Sequence, residues 1–181
     1  MTDIAHPGSG VLAYLGPNGT FTEQALFTQD DLAGLDLRLA SSIPEVLSMV
    51  GDGSVDLGFA AIENSIEGSV NVTQDTLAFE ADLLIQREVV ISVELNLLAP
   101  PGTGLDSIAR VVSFPHATAQ CRGWLQENLP SAETGAANST ADAARQIANE
   151  NDGRTAAIAP ARAAEVYGLD TLTAGIEDHS S

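Results

Sequence analysis

The side chains best suited to chemistry on a small polar molecule lie in four short polar segments of this chain. One of them follows an apolar run, where Glu63, Asn64 and Ser65 place a carboxylate, a carboxamide and a hydroxyl side by side before Gly68. These groups make directed hydrogen bonds and occupy little volume, which suits a small polar ligand. Taken alone, the segment would be read as an ordinary polar loop.

Three further segments combine the same residue types with turn residues. They are residues 16–23 (GPNGTFTE), residues 113–121 (SFPHATAQC) and residues 138–141 (NSTA). Each lies where a strand pattern gives way to a helix pattern, and ligand sites of open α/β sheets gather at such junctions. Helices that begin at Ser or Thr present backbone N–H groups that bind carboxylates without a basic side chain.

The remaining reactive residue types offer weaker alternatives. Histidine is a common acid or base in enzymes, but the place of His116 in the first turn of a helix favours a hydrogen-bonding role over proton transfer. Cys121 has no neighbour in sequence that would activate a thiol, so we expect a small core residue. Three histidines and one cysteine at these separations form no metal-ligand motif, and no metal site is predicted.

Strands and helices alternate along the chain, which predicts an α/β fold. The predicted strands are 11–15, 36–40, 55–62, 110–113, 134–137 and 155–159, together with a long extended segment at 83–99. One predicted helix begins near residue 21, where Thr20 and Glu23 form a capping box, and another begins after a cap at Ser42. Four more predicted helices span residues 73–80, 115–128, 140–150 and 160–167. Ser113 is a candidate cap for the helix that starts at 115.

This order predicts two small α/β lobes around a cleft. The first lobe is expected to contain residues 10–83 and 172–181, and the second lobe residues 84–171. Residues 1–9 are expected to be a flexible lead-in, since they lack the positive start and apolar stretch of a secretion signal. Helix ends that line a cleft would bind an anion with few basic residues.

The charge balance restricts the partners of the protein. The 25 acidic residues outnumber the 7 basic ones, and the formal net charge is −18. A polyanion of this kind is expected to bind neither nucleic acid nor an anionic membrane. No apolar run approaches the roughly 20 residues of a membrane span, and a single cysteine forms no internal disulfide. We therefore expect a cytoplasmic protein.

In this order and spacing, the four segments resemble the catalytic region of prephenate dehydratases, from about residue 11 to the end of the chain. The resemblance implies a two-lobed fold like that of type II periplasmic binding proteins. It implies conversion of prephenate to phenylpyruvate, in which carbon dioxide and the ring hydroxyl leave together. Because that loss makes the ring aromatic, no metal or cofactor is implied. A homo-oligomer is implied for the full-length protein.

The resemblance also implies roles for single residues. Those at catalytic positions are Glu63, Asn64, Ser113 and Gln120, and those at substrate-binding positions are Thr20, Ser65, His116, Ser139 and Thr140. The family usually has Ser-His-Pro-Gln where this chain has Ser-Phe-Pro-His at 113–116. The family's Thr-Arg-Phe motif and regulatory ACT-type domain are expected beyond residue 181. We therefore expect the catalytic region of a longer enzyme, with poor turnover by this chain alone.

Two other functions fit the same residues. Arogenate differs from prephenate by an amine in place of a keto group, and the sequence does not separate an arogenate dehydratase from a prephenate dehydratase. A non-catalytic small-anion binding module of the same fold is the alternative from another class, because fold alone does not decide between binding and catalysis.

Overall fold

The computed structural model describes residues 10–64 and 68–179. Their contacts divide the chain into two compact units, each of which combines strands and helices. The first unit contains residues 10–17 and 22–91, and the second contains residues 18–21 and the residues from 92 onward. The predicted α/β fold class is confirmed. The predictions for residues 1–9 and for Ser65 lie outside the described residues.

The first unit is built on a three-stranded parallel sheet in the order β2-β1-β3. Its strands are β1 (Val11–Leu15), β2 (Asp36–Ala40) and β3 (Leu57–Phe59). Its first helices are α1 (Phe21–Phe27), which belongs to this unit from residue 22 onward, α2 (Asp30–Ala33) and α3 (Ile43–Gly51). The cap predicted for α3 is present, since the Ser42 side chain accepts a hydrogen bond from the backbone N–H of Glu45. The strand predicted over 55–62 is paired only over β3.

A short hairpin and a helix follow β3. The hairpin joins β4 (Glu63–Asn64) to β5 (Gly68–Ser69) in antiparallel register. The helix α4 (Asn71–Asp75) continues into a π-helical turn at Thr76–Glu80, where one continuous helix over 73–80 was predicted. The Thr73 hydroxyl donates to the carbonyl of Ala61 at 2.6 Å, which ties α4 to the segment between β3 and the hairpin.

The extended segment predicted at 83–99 is only partly a strand. Residues 96–99 form β6 (Asn96–Ala99), whereas residues 81–95 have no strand partner among the described residues. The side chains still alternate, since Leu83 and Val89 are half-buried while Leu84 and Val90 are exposed. A period-two pattern reports which face is buried and says nothing of whether a neighbouring strand is available.

The second unit is built on a five-stranded mixed sheet in the order β10-β6-β9-β7-β8. The strands that follow β6 are β7 (Arg110–Ser113), β8 (Glu133–Ala136), β9 (Thr155–Ala159) and β10 (Asp170–Thr173). β7 is parallel to β8 and to β9, while β6 is antiparallel to β9 and to β10. The carboxyl ends of β7, β8 and β9 therefore meet at one edge, here called the carboxyl edge.

Both faces of this sheet are buried. One face carries Leu97, Val111 and Ile158 into a first core, and the other carries Leu98 and Val112 into a second. The helices that cover them are α5 (Pro115–Gln120), α6 (Arg122–Asn128), α7 (Thr140–Glu150) and α8 (Ala161–Tyr167). Strands buried on both faces read as continuous apolar runs, as in the sequence of β9.

The helix predicted over 115–128 is broken at Cys121. Asp178 explains the break, because its carboxylate accepts hydrogen bonds from the backbone N–H groups of Gly123 at 2.8 Å and Trp124 at 3.0 Å. Its own N–H donates to the carbonyl of Gln120 at 2.7 Å. These bonds complete the end of α5 and the start of α6 in place of the helical bonds.

The end of the chain differs from the predicted lobe boundaries. Residues 172–181 were assigned to the first lobe, but the described residues 172–179 belong to the second unit, as do residues 18–21 and 92–171. The reason is pairing, because β10 adds an edge strand beside β6, and the Ile176 N–H donates to the carbonyl of Leu95 at 2.8 Å.

No helix in the described part of the chain is long and apolar enough to cross a membrane.

Candidate functional site

Two predicted catalytic residues lie in the hairpin of the first unit. Glu63 and Asn64 make up β4, where Glu63 is exposed and Asn64 is half-buried. Gly68 lies opposite Asn64 and has a φ of +86°, a left-handed conformation that favours glycine. The hairpin follows the carboxyl end of β3, so both polar side chains lie at a strand-to-helix junction, as the sequence predicted.

Four predicted residues of the second unit lie beside its carboxyl edge. Ser113 is the last residue of β7, His116 lies in the first turn of α5, and Ser139 and Thr140 begin α7 directly after β8. They come together because parallel strands end at the same edge and each helix starts there. Gln120 lies at the other end of α5, where its carbonyl accepts the hydrogen bond from Asp178.

Ser113 has a structural partner that the sequence did not reveal. Its side chain is fully buried, and its hydroxyl donates to the carbonyl of Ile158 in the neighbouring strand β9 at 2.7 Å. The cap position of α5 is occupied by Phe114, without a side-chain cap, so the alternative in which Ser113 caps this helix is wrong. The proton of this hydroxyl is therefore already used in a hydrogen bond within the sheet.

Ser139 is the N-cap of α7, as its motif predicted. Its hydroxyl accepts a hydrogen bond from the backbone N–H of Asp142 at 2.9 Å. The Asp142 carboxylate accepts a hydrogen bond from the N–H of Asn138 at 3.4 Å, one residue before the cap, so the start of the helix is held from both sides. The cap leaves the N–H of Thr140 in the first turn, where backbone donors and the helix dipole favour a carboxylate.

Thr20 belongs to a turn that packs on α8. The Tyr167 hydroxyl donates to the carbonyl of Asn18 at 2.7 Å, and Gly19 approaches the backbone of Ala163. The other half of the predicted capping box, Glu23, is buried in the first unit, where its carboxylate accepts a hydrogen bond from the Tyr14 hydroxyl at 3.2 Å.

Sequence reasoning missed two polar residues that organise this region. Asn96 is buried in β6, and the amide orientation that satisfies both its ends donates to Glu94 at 3.0 Å and accepts from the Ala161 N–H at 3.2 Å. The sequence signal that could have indicated Asn96 was a side-chain amide inside an apolar run. Asp178 joins α5 to α6, and its partners are 54 and 55 residues away, so no local pattern indicated it.

An open groove lies elsewhere in the second unit. It has a volume of about 540 Å³ and runs along α5 and α6, with Thr118, Arg122 and Gln126 among its lining residues. None of the predicted site residues lines it. The carboxyl edge is the candidate site of the second unit, because four of the predicted polar residues and two helix starts are there, and a groove volume by itself indicates no chemistry. Among residues 10–64 and 68–179, no group of His, Cys, Asp and Glu could hold a metal.

Comparison with known proteins identifies the family. The family model for prephenate dehydratase matches residues 12–181, nearly the whole chain. The chain belongs to the prephenate dehydratase family. A prephenate dehydratase of Mycolicibacterium gilvum is 42% identical over 178 residues, which cover 92% of this chain and 57% of that protein. This chain thus spans little more than half the length of that relative.

Solved structures agree with the prephenate dehydratase assignment. The prephenate dehydratase of Arthrobacter aurescens, determined in complex with L-Phe, has a TM-score of 0.85 and 35% identity, covering 93% of this chain and 56% of that chain. A protein described as GqqA, a quorum quenching acylase, has a TM-score of 0.79 and 29% identity, covering 94% of this chain and 60% of that chain. The same fold therefore occurs in a protein described by another activity.

The cysteine of the 113–121 segment is expected to be inert in the folded protein. Cys121 is fully buried, and burial, followed by the charges of Glu177 and Asp178, raises the pKa of its thiol to about 12. A thiol reagent at pH 8 should therefore react with the folded chain more than about 10²-fold slower than with the urea-unfolded chain.

The raised pKa of Cys121 also fixes the sign of a pH effect. The folded state keeps the thiol proton above pH ~8.5, where the unfolded chain loses it. This contribution to stability is fully present below pH ~8.5 and is lost as the pH rises towards 12.

The reactivity of the Cys121 thiol is measured by its labelling rates with and without urea. Equal rates in the folded and unfolded chain would contradict the burial of Cys121.

Proposed function

We propose that this chain is the catalytic region of a prephenate dehydratase and converts prephenate to phenylpyruvate, with loss of carbon dioxide and the ring hydroxyl. The observation that carries the proposal is the family match over residues 12–181. The 42% identity to a relative named as a prephenate dehydratase supports the same reaction. No redox partner is needed, because the reaction forms an aromatic ring by elimination alone.

The substrate carries two carboxylates, which backbone N–H groups can hold in an acidic protein. We propose that Thr20, Ser139 and Thr140 place such donors around them, with the dipole of the eleven-residue helix α7 favouring the negative charge. His116, in the first turn of α5, is proposed as a further hydrogen-bonding partner of the substrate. Repulsion by the rest of the −18 surface is screened beyond about 8 Å at physiological ionic strength.

The remaining groups are proposed to act on the reacting atoms. Asn64 and Gln120 supply neutral amide N–H donors, which stabilise negative charge without transferring a proton. The exposed carboxylate of Glu63 accepts a hydrogen bond from the substrate. Ser113 is proposed to hold the ends of β7 and β9 in place beneath the substrate, because its hydroxyl is fully buried and its proton is donated to Ile158. It therefore does not protonate the departing hydroxyl.

Two alternatives are distinguished by experiment. An arogenate dehydratase would use the same groups on a substrate with an amine, and a binding module would hold the anion without turnover. Purified chain is incubated with prephenate or with arogenate, and phenylpyruvate and phenylalanine are quantified. The M. gilvum relative provides the positive control. Formation of phenylpyruvate above the spontaneous rate is expected, whereas binding of prephenate without product would favour the binding module.

Location and assembly are separate proposals. A cytoplasmic location is supported by a lone buried cysteine, which needs no oxidising compartment. The net charge of −18 supports a protein that binds neither nucleic acid nor anionic membranes. The full-length enzyme is further proposed to be a homo-oligomer. Cell fractionation and light scattering test these points independently of the activity.

A further inference from the structure

We infer that Tyr167 is a positioning residue, which fixes the turn at residues 18–21 so that Thr20 can bind substrate. The inference rests on the proposed function for the role of Thr20, but the anchoring itself rests on contacts within the second unit. Tyr167 is the last residue of α8 and lies 149 positions from Asn18, whose carbonyl accepts its hydroxyl proton at 2.7 Å.

The fit between the turn and α8 extends beyond this hydrogen bond. Gly19 is buried and has a φ of +85°, which disfavours any residue with a side chain. A Cβ at Gly19 would lie 3.0 Å from Cε2 of the Tyr167 ring and 3.1 Å from the Cα of Ala163. The turn therefore lies directly against the helix, and both its conformation and its closeness require glycine.

A third contact holds the other side of the turn. Phe21 packs against the core formed by one face of the five-stranded sheet. Thr20 thus lies between Gly19, which touches α8, and Phe21, which packs on the core. Fixing both neighbours restricts the backbone of Thr20, and a donor that is already in place loses less entropy when it binds a ligand.

The chemistry of Tyr167 separates its two contributions. The ring packs against the second core of the unit, which includes Ala163 and Ala164, and a phenylalanine would keep this contact. The hydroxyl makes the bond to Asn18, which a phenylalanine would lose. Tyr167→Phe is therefore expected to fold normally and to loosen the turn selectively.

The structural test is amide hydrogen exchange followed by mass spectrometry. Tyr167→Phe should speed exchange in a peptide covering 16–22 by about fivefold, the factor that corresponds to one net hydrogen bond. Ser107→Ala is the matched control, because it removes a hydroxyl that donates to the carbonyls of Gly104 at 2.6 Å and Gly153 at 3.1 Å in the same unit. The control should leave exchange in 16–22 unchanged.

The functional readout is which of the two kinetic constants changes, KM or kcat. Tyr167→Phe should raise KM for prephenate about fivefold with kcat nearly unchanged, because it removes preorganisation of a binding group. Gly19→Ala should affect the turn in the same direction and more strongly. Unchanged exchange in 16–22, or faster exchange with an unchanged KM, overturns the positioning role. A wild-type chain that neither binds nor converts prephenate refutes the proposed function, and with it the substrate role of the turn, while the exchange data still decide the anchoring.

Discussion

Replacing Asn64 with alanine is expected to lower kcat/KM for prephenate by about 10²–10³-fold, the usual effect of removing one preorganised donor from an active site. The melting temperature should change little, because Asn64 is a half-buried residue of a two-residue strand and contributes little to either core cluster of its unit. Steady-state kinetics and thermal melts of the same preparations measure both quantities.

Asn71→Ala is the matched control for this prediction. Asn71 is an exposed asparagine of the same unit at the start of α4, and its removal should leave both kinetics and melting temperature unchanged. A large fall in melting temperature with unchanged activity of the folded fraction would show that Asn64 is structural. Unchanged kcat/KM at an unchanged melting temperature would remove Asn64 from the catalytic residues.

Leu97→Ala is expected to lower the free energy of unfolding by about 2–5 kcal/mol, the range for truncating a buried leucine. Leu97 is 0% exposed, and its strand β6 lies between β9 and β10. Opposite it in register is Ile158, whose side chain belongs to the same core. The loss combines the hydrophobic transfer of the side chain with the void that remains, since neighbouring strands cannot close around it.

Leu39→Ala makes the same chemical change at an exposed site. Leu39 lies on the edge strand β2 and is 51% exposed, so its truncation should change the free energy of unfolding by no more than about 0.5 kcal/mol. Urea denaturation of both variants and the wild type gives the comparison. Similar losses in the two variants would contradict the assignment of Leu97 to the core.

Features that depend on neighbouring residues could be predicted from the sequence. The strand at 11–15, the helix at 140–150 and the strand at 155–159 have the predicted bounds. Ser42 and Ser139 cap their helices as their motifs indicated, because each cap bond reaches a residue only 3 positions away. The order of the four polar segments was sufficient to indicate the family, which the match over residues 12–181 confirms.

The carboxyl edge of the second unit was likewise foreseeable. Alternating strands and helices predict parallel strands, and the ends of parallel strands must meet at one edge. Ser113, Ser139 and Thr140 each follow or end such a strand, so their common location needed no knowledge of side-chain contacts. Their roles in catalysis remain a proposal, because position at an edge does not by itself assign a role.

Only the tertiary structure decided which groups are already engaged with distant partners. Ser113 donates to a carbonyl 45 residues away, the backbone N–H of Leu95 donates to Glu177 82 residues away, and Tyr167 donates to Asn18 149 residues away. The break at Cys121 and the place of residues 172–179 have the same origin. A residue's own sequence neighbourhood determines its propensity, whereas these bonds form only when folding brings remote backbone groups together, so their partners were not encoded locally.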